Sequence, residues 1–313
     1  MYKKILVPLD GSERAEAVIP HVENLVKHDE TKVIFAQVVE SGSQTAILDP
    51  ERESELQYQP QKIAQVKQYL ASWKDQFRAK DLSAKILLLR GDAVEAILHA
   101  AEITQVELLA MSSHGRTGLA RMFHGSVAYG VFNRVGCPLL LVRSETERNL
   151  STNNRILVPL DGSQRAEAIV PHVEEVAKLY EAKIILAQVI RSNYQTASYG
   201  DIEKSVSNDL FNQVGKHQEI RQIRDAKQYL LDWSTKLRNQ GVEVEANLLY
   251  GRPIESIIQV ADNIDADLIA MTSHGQTGLD KVFYGSVSSS LLNQANRPLL
   301  LIRSGKAPTE NLV

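Results

Sequence analysis

Blocks of continuous apolar residues alternate along the 313-residue chain with blocks whose apolar residues fall three and four apart, so strands and helices are predicted in rotation. KKILVPL closes in the turn Asp10-Gly11-Ser12 and reads as a strand. A helical stripe follows from Glu13 to His28 through Ala15, Val18, Ile19, Val22, Leu25 and Val26, with Pro20 expected to kink it. TKVIFAQVVE, AKILLLR, VELLAMSS and PLLLVRS are further strands, and helices are expected over Ile63–Phe77, Ala93–Thr104 and Ser126–Val135. Strands of this kind, apolar along their length and separated by helices, imply a parallel sheet covered on both faces. Right-handed crossovers then give an α/β doubly wound fold.

The whole pattern occurs twice. ILVPLDGS at 5–12 returns at 156–163, RAEA at 14–17 at 165–168, AQV at 36–38 at 187–189, and KQYL at 67–70 at 227–230. SHGxTGL at 113–119 returns at 273–279 and GSV at 125–127 at 285–287. A period of this size exceeds that of a solenoid unit and matches a domain. Two tandem domains are therefore expected, 1–146 and 152–306, each a five-stranded parallel sheet with helices on both faces. The second copy has strands at Arg155–Pro159, Lys183–Ile190, Val244–Tyr250, Asp267–Ser273 and Pro298–Ser304. SETERNLSTNN at 144–154 is the linker, and its roughly 36 Å reach keeps the domains side by side. Polar stretches at 41–61 and 192–221 exceed ordinary connections and are expected to act as mobile covers or partner surfaces, with a short helix at Glu203–Gln213.

Charge changes the picture by exclusion. Lys and Arg number 35 against 38 acidic residues, a net −3, which argues against nucleic acid as a partner. The single cysteine, Cys137, fits a reducing compartment, and as its counterpart is Arg297 it reads as a small core residue. With no signal peptide and no apolar run near 18 residues, a cytoplasmic protein without membrane contact is expected. Trp73 and Trp233, at matching helix positions, read as core.

The residues kept in both copies are mostly turn residues, which points to two sites. In an open parallel sheet ligands bind beyond the carboxyl ends of strands, where strand order reverses. Asp10 and Asp161 end the first strand of each copy, and Ser112-Ser113-His114-Gly115 and Thr272-Ser273-His274-Gly275 end the fourth. Gly125-Ser126 and Gly285-Ser286 open the last helices, where free amides and the helix dipole favour an anion. Each aspartate reads either as a ligand contact or as a helix cap. His114 and His274 lack a partner at metal-ligand spacing and read as loop-ordering residues. No GxxxxGK[ST], GxGxxG or GxSxG motif occurs, and no base is paired with a nucleophile.

ILVPLDGS, the strand ending in AQV, the SHGRTGL loop, GSV and PLLLVR resemble, in order and spacing, the universal stress protein family, twice over. In ATP-binding members of that family the phosphate motif is Gly, two residues, Gly, nine residues, then Gly-Ser or Gly-Thr. Here Ser112, Gly115, Gly125 and Ser126 fill it in one half and Thr272, Gly275, Gly285 and Ser286 in the other, so the leading glycine is replaced in both. The resemblance implies that Asp10 and Asp161 bond near the adenosine, and that Val38 and Val189 offer backbone groups to adenine. The remaining glycines and serines would hold the triphosphate of ATP, with or without Mg2+. The loops differ in charge, with Arg116 and Arg121 in the first half where the second has Gln276, Asp280 and Lys281, so the first half is expected to bind more tightly. The family's dimers join through the last strand, which would make this chain an intramolecular pseudo-dimer, and two chains could associate further as a homodimer.

Three readings stand at this point. One is a nucleotide-binding sensor or regulatory module of the stress response, read by protein partners the sequence does not name. Another is a nucleotide-free scaffold of the same family. The enzymatic alternative is a slow ATPase, from which the missing base points away.

Overall fold

The computed structural model describes residues 2–26, 31–40, 45–48, 60–113, 126–143, 154–191, 217–273 and 286–303. The chain divides into two compact units, Met1–Asn149 and Leu150–Val313. The expected helix at Glu203–Gln213 lies outside the described residues.

The first unit runs β1 (Lys4–Pro8), α1 (Glu13–Glu16), α2 (Ile19–Val26), β2 (Lys32–Glu40), β3 (Ala46–Leu48), α3 (Pro60–Arg78), β4 (Ser83–Arg90), α4 (Ala93–Thr104), β5 (Leu108–Ser112), α5 (Ser126–Phe132) and β6 (Leu139–Val142). Its strands lie in the order β3-β4-β2-β1-β5-β6. The chain therefore winds outward from β1 through β2 to β4, then returns to the other side of β1 as β5. The pairings β1–β2, β2–β4, β1–β5 and β5–β6 are all parallel. Side chains alternate between the faces of a strand. Since Leu108, Leu109 and Ala110 all have no exposed surface, both faces of β5 are covered.

Three local features differ from the sequence expectation. The first helical stripe is two helices, with Ala17 and Val18 between them, and Pro20 lies in the first turn of α2, where its missing N–H costs no hydrogen bond. The stretch at 41–61, expected as a cover or partner surface, contains β3, which pairs antiparallel with β4, Ile47 opposite Leu89 and Leu48 opposite Leu88. The sheet of the first unit is thus mixed, not purely parallel. The helix expected to reach Val135 ends at Phe132, and its last turn closes through Arg134 and Val135 amides bonding to the Val131 carbonyl.

The second unit repeats the winding with β7 (Arg155–Pro159), α6 (Gln164–Glu167), α7 (Val170–Tyr180), β8 (Lys183–Arg191), α8 (His217–Asn239), β9 (Val244–Gly251), α9 (Pro253–Asn263), β10 (Leu268–Thr272), α10 (Ser286–Gln294) and β11 (Leu299–Ile302). The order is β9-β8-β7-β10-β11, parallel throughout.

The two copies solve one packing problem differently. Cys137 is half-buried, not fully in the core, and burial pushes its thiol up to about 11, so it stays protonated and unreactive near neutral pH. Arg297 stands in its place in the second unit. It is buried at 6% exposure, donating to the Ala266 carbonyl at 2.8 Å and to Asp262 and Asp265 at 3.2 Å each. The tryptophans are also only half-buried. Trp233 donates Nε1 to Glu167 at 3.3 Å and carries the Lys236 ammonium 4.5 Å from its ring centre.

His21 on α2 is 1% exposed, its Nδ1 has no hydrogen-bond partner among the described residues, and burial lowers its pKa from 6.5 to about 4. A histidine held neutral in the fold takes up a proton more readily when unfolded, so its contribution is complete above pH 6.5 and is lost as pH falls toward 4. Between pH 7 and pH 5 the loss expected from this group is about 2 kcal/mol. Urea unfolding of a Trp233→Phe chain, followed by Trp73 fluorescence, should show that extra loss, and adding His21→Met should remove it. An equal loss with and without His21 would assign the acid sensitivity elsewhere.

Candidate functional site

Each site begins where β1 or β7 runs out. The Leu9 amide donates to the Ala36 carbonyl and the Leu160 amide to the Ala187 carbonyl, each at 2.8 Å, so the chain is still tied to the neighbouring strand as it enters the turn. Gly11 and Gly162 then take φ of +82° and +81°, a left-handed conformation that glycine adopts without steric cost. This brings Ser12 and Ser163 back over the preceding aspartates. One oxygen of Asp10 accepts from the Ser12 amide at 3.0 Å and from its hydroxyl at 2.6 Å. Asp161 and Ser163 repeat both bonds at the same distances. The serine hydroxyls in turn accept from the Ala15 and Ala166 amides at 3.2 and 3.1 Å. The helix caps are therefore Ser12 and Ser163, and the aspartates act one step back by fixing the cap rotamer.

Across the point where strand order reverses stand Ser112 and Thr272, the last residues of β5 and β10, 7% and 5% exposed. Both continue their strands, and neither is among the residues with positive φ. A Cβ at the motif's leading position is thus compatible with the backbone in both halves. The end of β10 is pinned to the last helix, because Ser288 on α10 donates its hydroxyl to the Ser273 carbonyl at 2.7 Å.

In the second unit these ends enclose a cavity of about 690 Å3. That is within the ~300–1,000 Å3 usual for small-molecule sites. Asp161, Val189 and Thr272, three of the residues expected at the site, line it together. Residues the sequence reading passed over also line it: Gln188 and Arg191 from β8, and Gln222, Asp225 and Tyr229 from α8. Tyr229 and its counterpart Tyr69 are held neutral above the usual tyrosine range, first by burial and then by the neighbouring carboxylates of Glu167 and Glu16. Tyr69 donates its hydroxyl to Glu16 at 2.7 Å. The repeated AQV and KQYL segments are the available signal for Gln188 and Tyr229, since each returns unchanged in the second copy.

Val38 in the first unit is half-buried on β2, where the register with β4 shifts between Val38 and Glu40; β8, which holds Val189, pairs with β9 without such a shift. Gly115, Arg116 and Gly125 lie outside the described residues, as do Gly275, Gly285, Arg121, Asp280, Lys281 and both loop histidines. Ser126 and Ser286 begin α5 and α10. Among the described residues no group of three or more His, Cys, Asp or Glu side chains could hold a metal ion. Among them, too, no helix is long and apolar enough to cross a membrane.

The family model described as the Universal stress protein family matches residues 1–143 and 152–303. A universal stress protein of Methanocaldococcus jannaschii is 25% identical over 152 residues, covering 49% of this chain and 83% of the relative. One from Mycobacterium tuberculosis is 25% identical over 226 residues, or 72% of this chain and 70% of the relative. Among solved structures, a universal stress protein from Archaeoglobus fulgidus superposes with a TM-score of 0.69 at 19% identity over 97% of both chains, a likeness of fold.

The aspartate-to-serine relay predicts a difference between two substitutions. Asp161→Asn keeps an acceptor oxygen and should leave stability nearly unchanged. Asp161→Ala releases the cap and should lower it by about 1–2 kcal/mol. Urea midpoints of the two variants measure this, and equal midpoints would remove Asp161 from the relay.

Proposed function

The chain belongs to the universal stress protein family, and from that premise we propose that it binds adenine nucleotide, ATP above all, at the carboxyl ends of the strands in each unit, as a sensor or regulatory module. The observation that carries this reading is the cavity in the second unit, which gathers Asp161, Val189 and Thr272 where strand order reverses. Its size and its mixture of apolar and polar lining residues suit a nucleoside. Bound nucleotide would supply a polyphosphate whose charge the loop residues Gly275, Gly285 and Ser286 would meet, as Gly115, Gly125 and Ser126 would in the first unit.

Charge distribution favours the first half. The loop cations Arg116 and Arg121 give the first half +2 against 0 from Asp280 and Lys281. Arg191 on the cavity wall adds one positive charge to the second half. Asp225 on the same wall offsets Arg191, so the second half stays at 0, and tighter binding by the first half follows. No group among the described lining residues pairs a base with a nucleophile, and a binding role is the reading favoured over slow hydrolysis.

Calorimetric titration of the full chain with ATP should show saturable binding below millimolar concentration, and gently purified protein should carry adenine nucleotide detectable by mass spectrometry. Arg191→Glu should weaken binding several-fold, since exposed charges of this kind are worth about 1 kcal/mol. Absence of binding at millimolar ATP would leave the nucleotide-free scaffold as the function.

A further inference from the structure

Gln188 occupies β8 one residue before Val189, at the register of Leu248 on β9. Its side chain forms part of the cavity wall, and its Nε2 lies 3.5 Å from where a Cβ on Gly162 would stand, beside the Asp161 turn. Its Oε1 is shut off from solvent and has no hydrogen-bond partner among the described residues. Gln37 holds the equivalent place on β2, is 7% exposed, and leaves its own Oε1 in the same condition. The carboxamide is among the lining residues that are the same in both copies, and both copies leave its oxygen bare. A buried acceptor without a donor costs stability that a methionine or leucine of similar size would not. A residue that weakens the ligand-free fold twice over at the site itself is explained by what it does when the site is filled.

We propose that Gln188 and Gln37 are specificity residues, whose side-chain oxygens accept a hydrogen bond from a donor on the bound nucleoside, the exocyclic amine of the base or a ribose hydroxyl. This rests on the nucleotide reading above. The terminal torsion of glutamine is soft. Rotation about it carries the Gln188 oxygen to the side now held by Nε2, beside the cavity-lining Gly162. The ligand donor then satisfies the acceptor that the empty fold leaves bare. A ligand lacking that donor enters the same cavity but leaves the acceptor unpaired, and sites built around a polar contact reject such analogues strongly.

The test uses the full chain and a Gln37→Met/Gln188→Met variant, with dissociation constants for ATP, 2′-deoxyATP, 3′-deoxyATP and the purine riboside triphosphate that lacks the 6-amino group. The native chain should bind one of the three analogues about tenfold more weakly than ATP, and in the variant that gap should shrink to within about twofold. The analogue that shows the gap identifies the donor. The ligand-free melting midpoint of the variant should equal or exceed that of the native chain, because a bare acceptor has been removed. A native chain that treats all four ligands alike overturns the proposal, as does a variant that keeps the native gap. So does a variant whose midpoint falls by several degrees while all four affinities weaken in parallel, since that is the behaviour of a structural glutamine. A native chain that binds none of the four overturns the nucleotide reading itself, and this proposal with it.

Discussion

A parallel sheet that winds outward on one side of its first strand and returns on the other must leave its two innermost connections diverging. In each unit that divergence falls between the first and fourth long parallel strands, β1 and β5 or β7 and β10. The two chains leave those carboxyl ends tied to strands on opposite sides, and the space between them is a crevice. Everything proposed here depends on that constraint. The Asp-Gly-Ser turn, the small residue ending β5 or β10, and the serine pinning α10 are local means of keeping the crevice open and its walls fixed. Asp161 is the clearest case. Its carboxylate orients Ser163, Ser163 caps α6, and α6 is thereby held where the cavity requires it.

Much of this fold is legible in the sequence, because a strand buried on both faces has to be apolar at every position. ILVPL, LLAM and LLLV state that directly, and their repetition a domain-length later states that there are two units. What escaped was decided by tertiary contact. Ala46–Leu48 is too short and too polar-flanked to read as a strand, and becomes one only because β4 offers an unpaired edge. The break at Ala17–Val18 is hidden by a helical stripe that continues through it. Trp73 and Trp233 look like core by spacing, but the polar end of the Trp233 ring finds Glu167, and that keeps it at the surface.

The site was legible in part for a different reason. Glycines, aspartates and serines repeated in turns mark backbone demands, and the structure explains Gly11 and Gly162 by their positive φ. The aspartates' place in the sequence fits either a ligand contact or a cap, and the geometry assigns the cap to the following serine instead. The second wall of the cavity was invisible to motif reasoning. Gln222, Asp225 and Tyr229 come from a helix far along the chain, and only folding of α8 onto the β8 and β9 strands brings them to Asp161. Duplication has also left the halves unequal in detail, with Arg297 against Cys137 and the register shift at Val38 found in one half alone.

The central claim is that nucleotide sits in the crevice at the carboxyl ends of the strands, against Asp161 and Gln188. Hydrogen exchange of the full chain with and without ATP measures that by position. Bound nucleotide should slow the amides of Leu160–Ser163 and Gln188–Arg191, with little change at the opposite ends of the same strands, around Arg155 and Lys183. Protection confined to other surfaces, or unchanged exchange at those two segments in protein saturated with ATP, would contradict it.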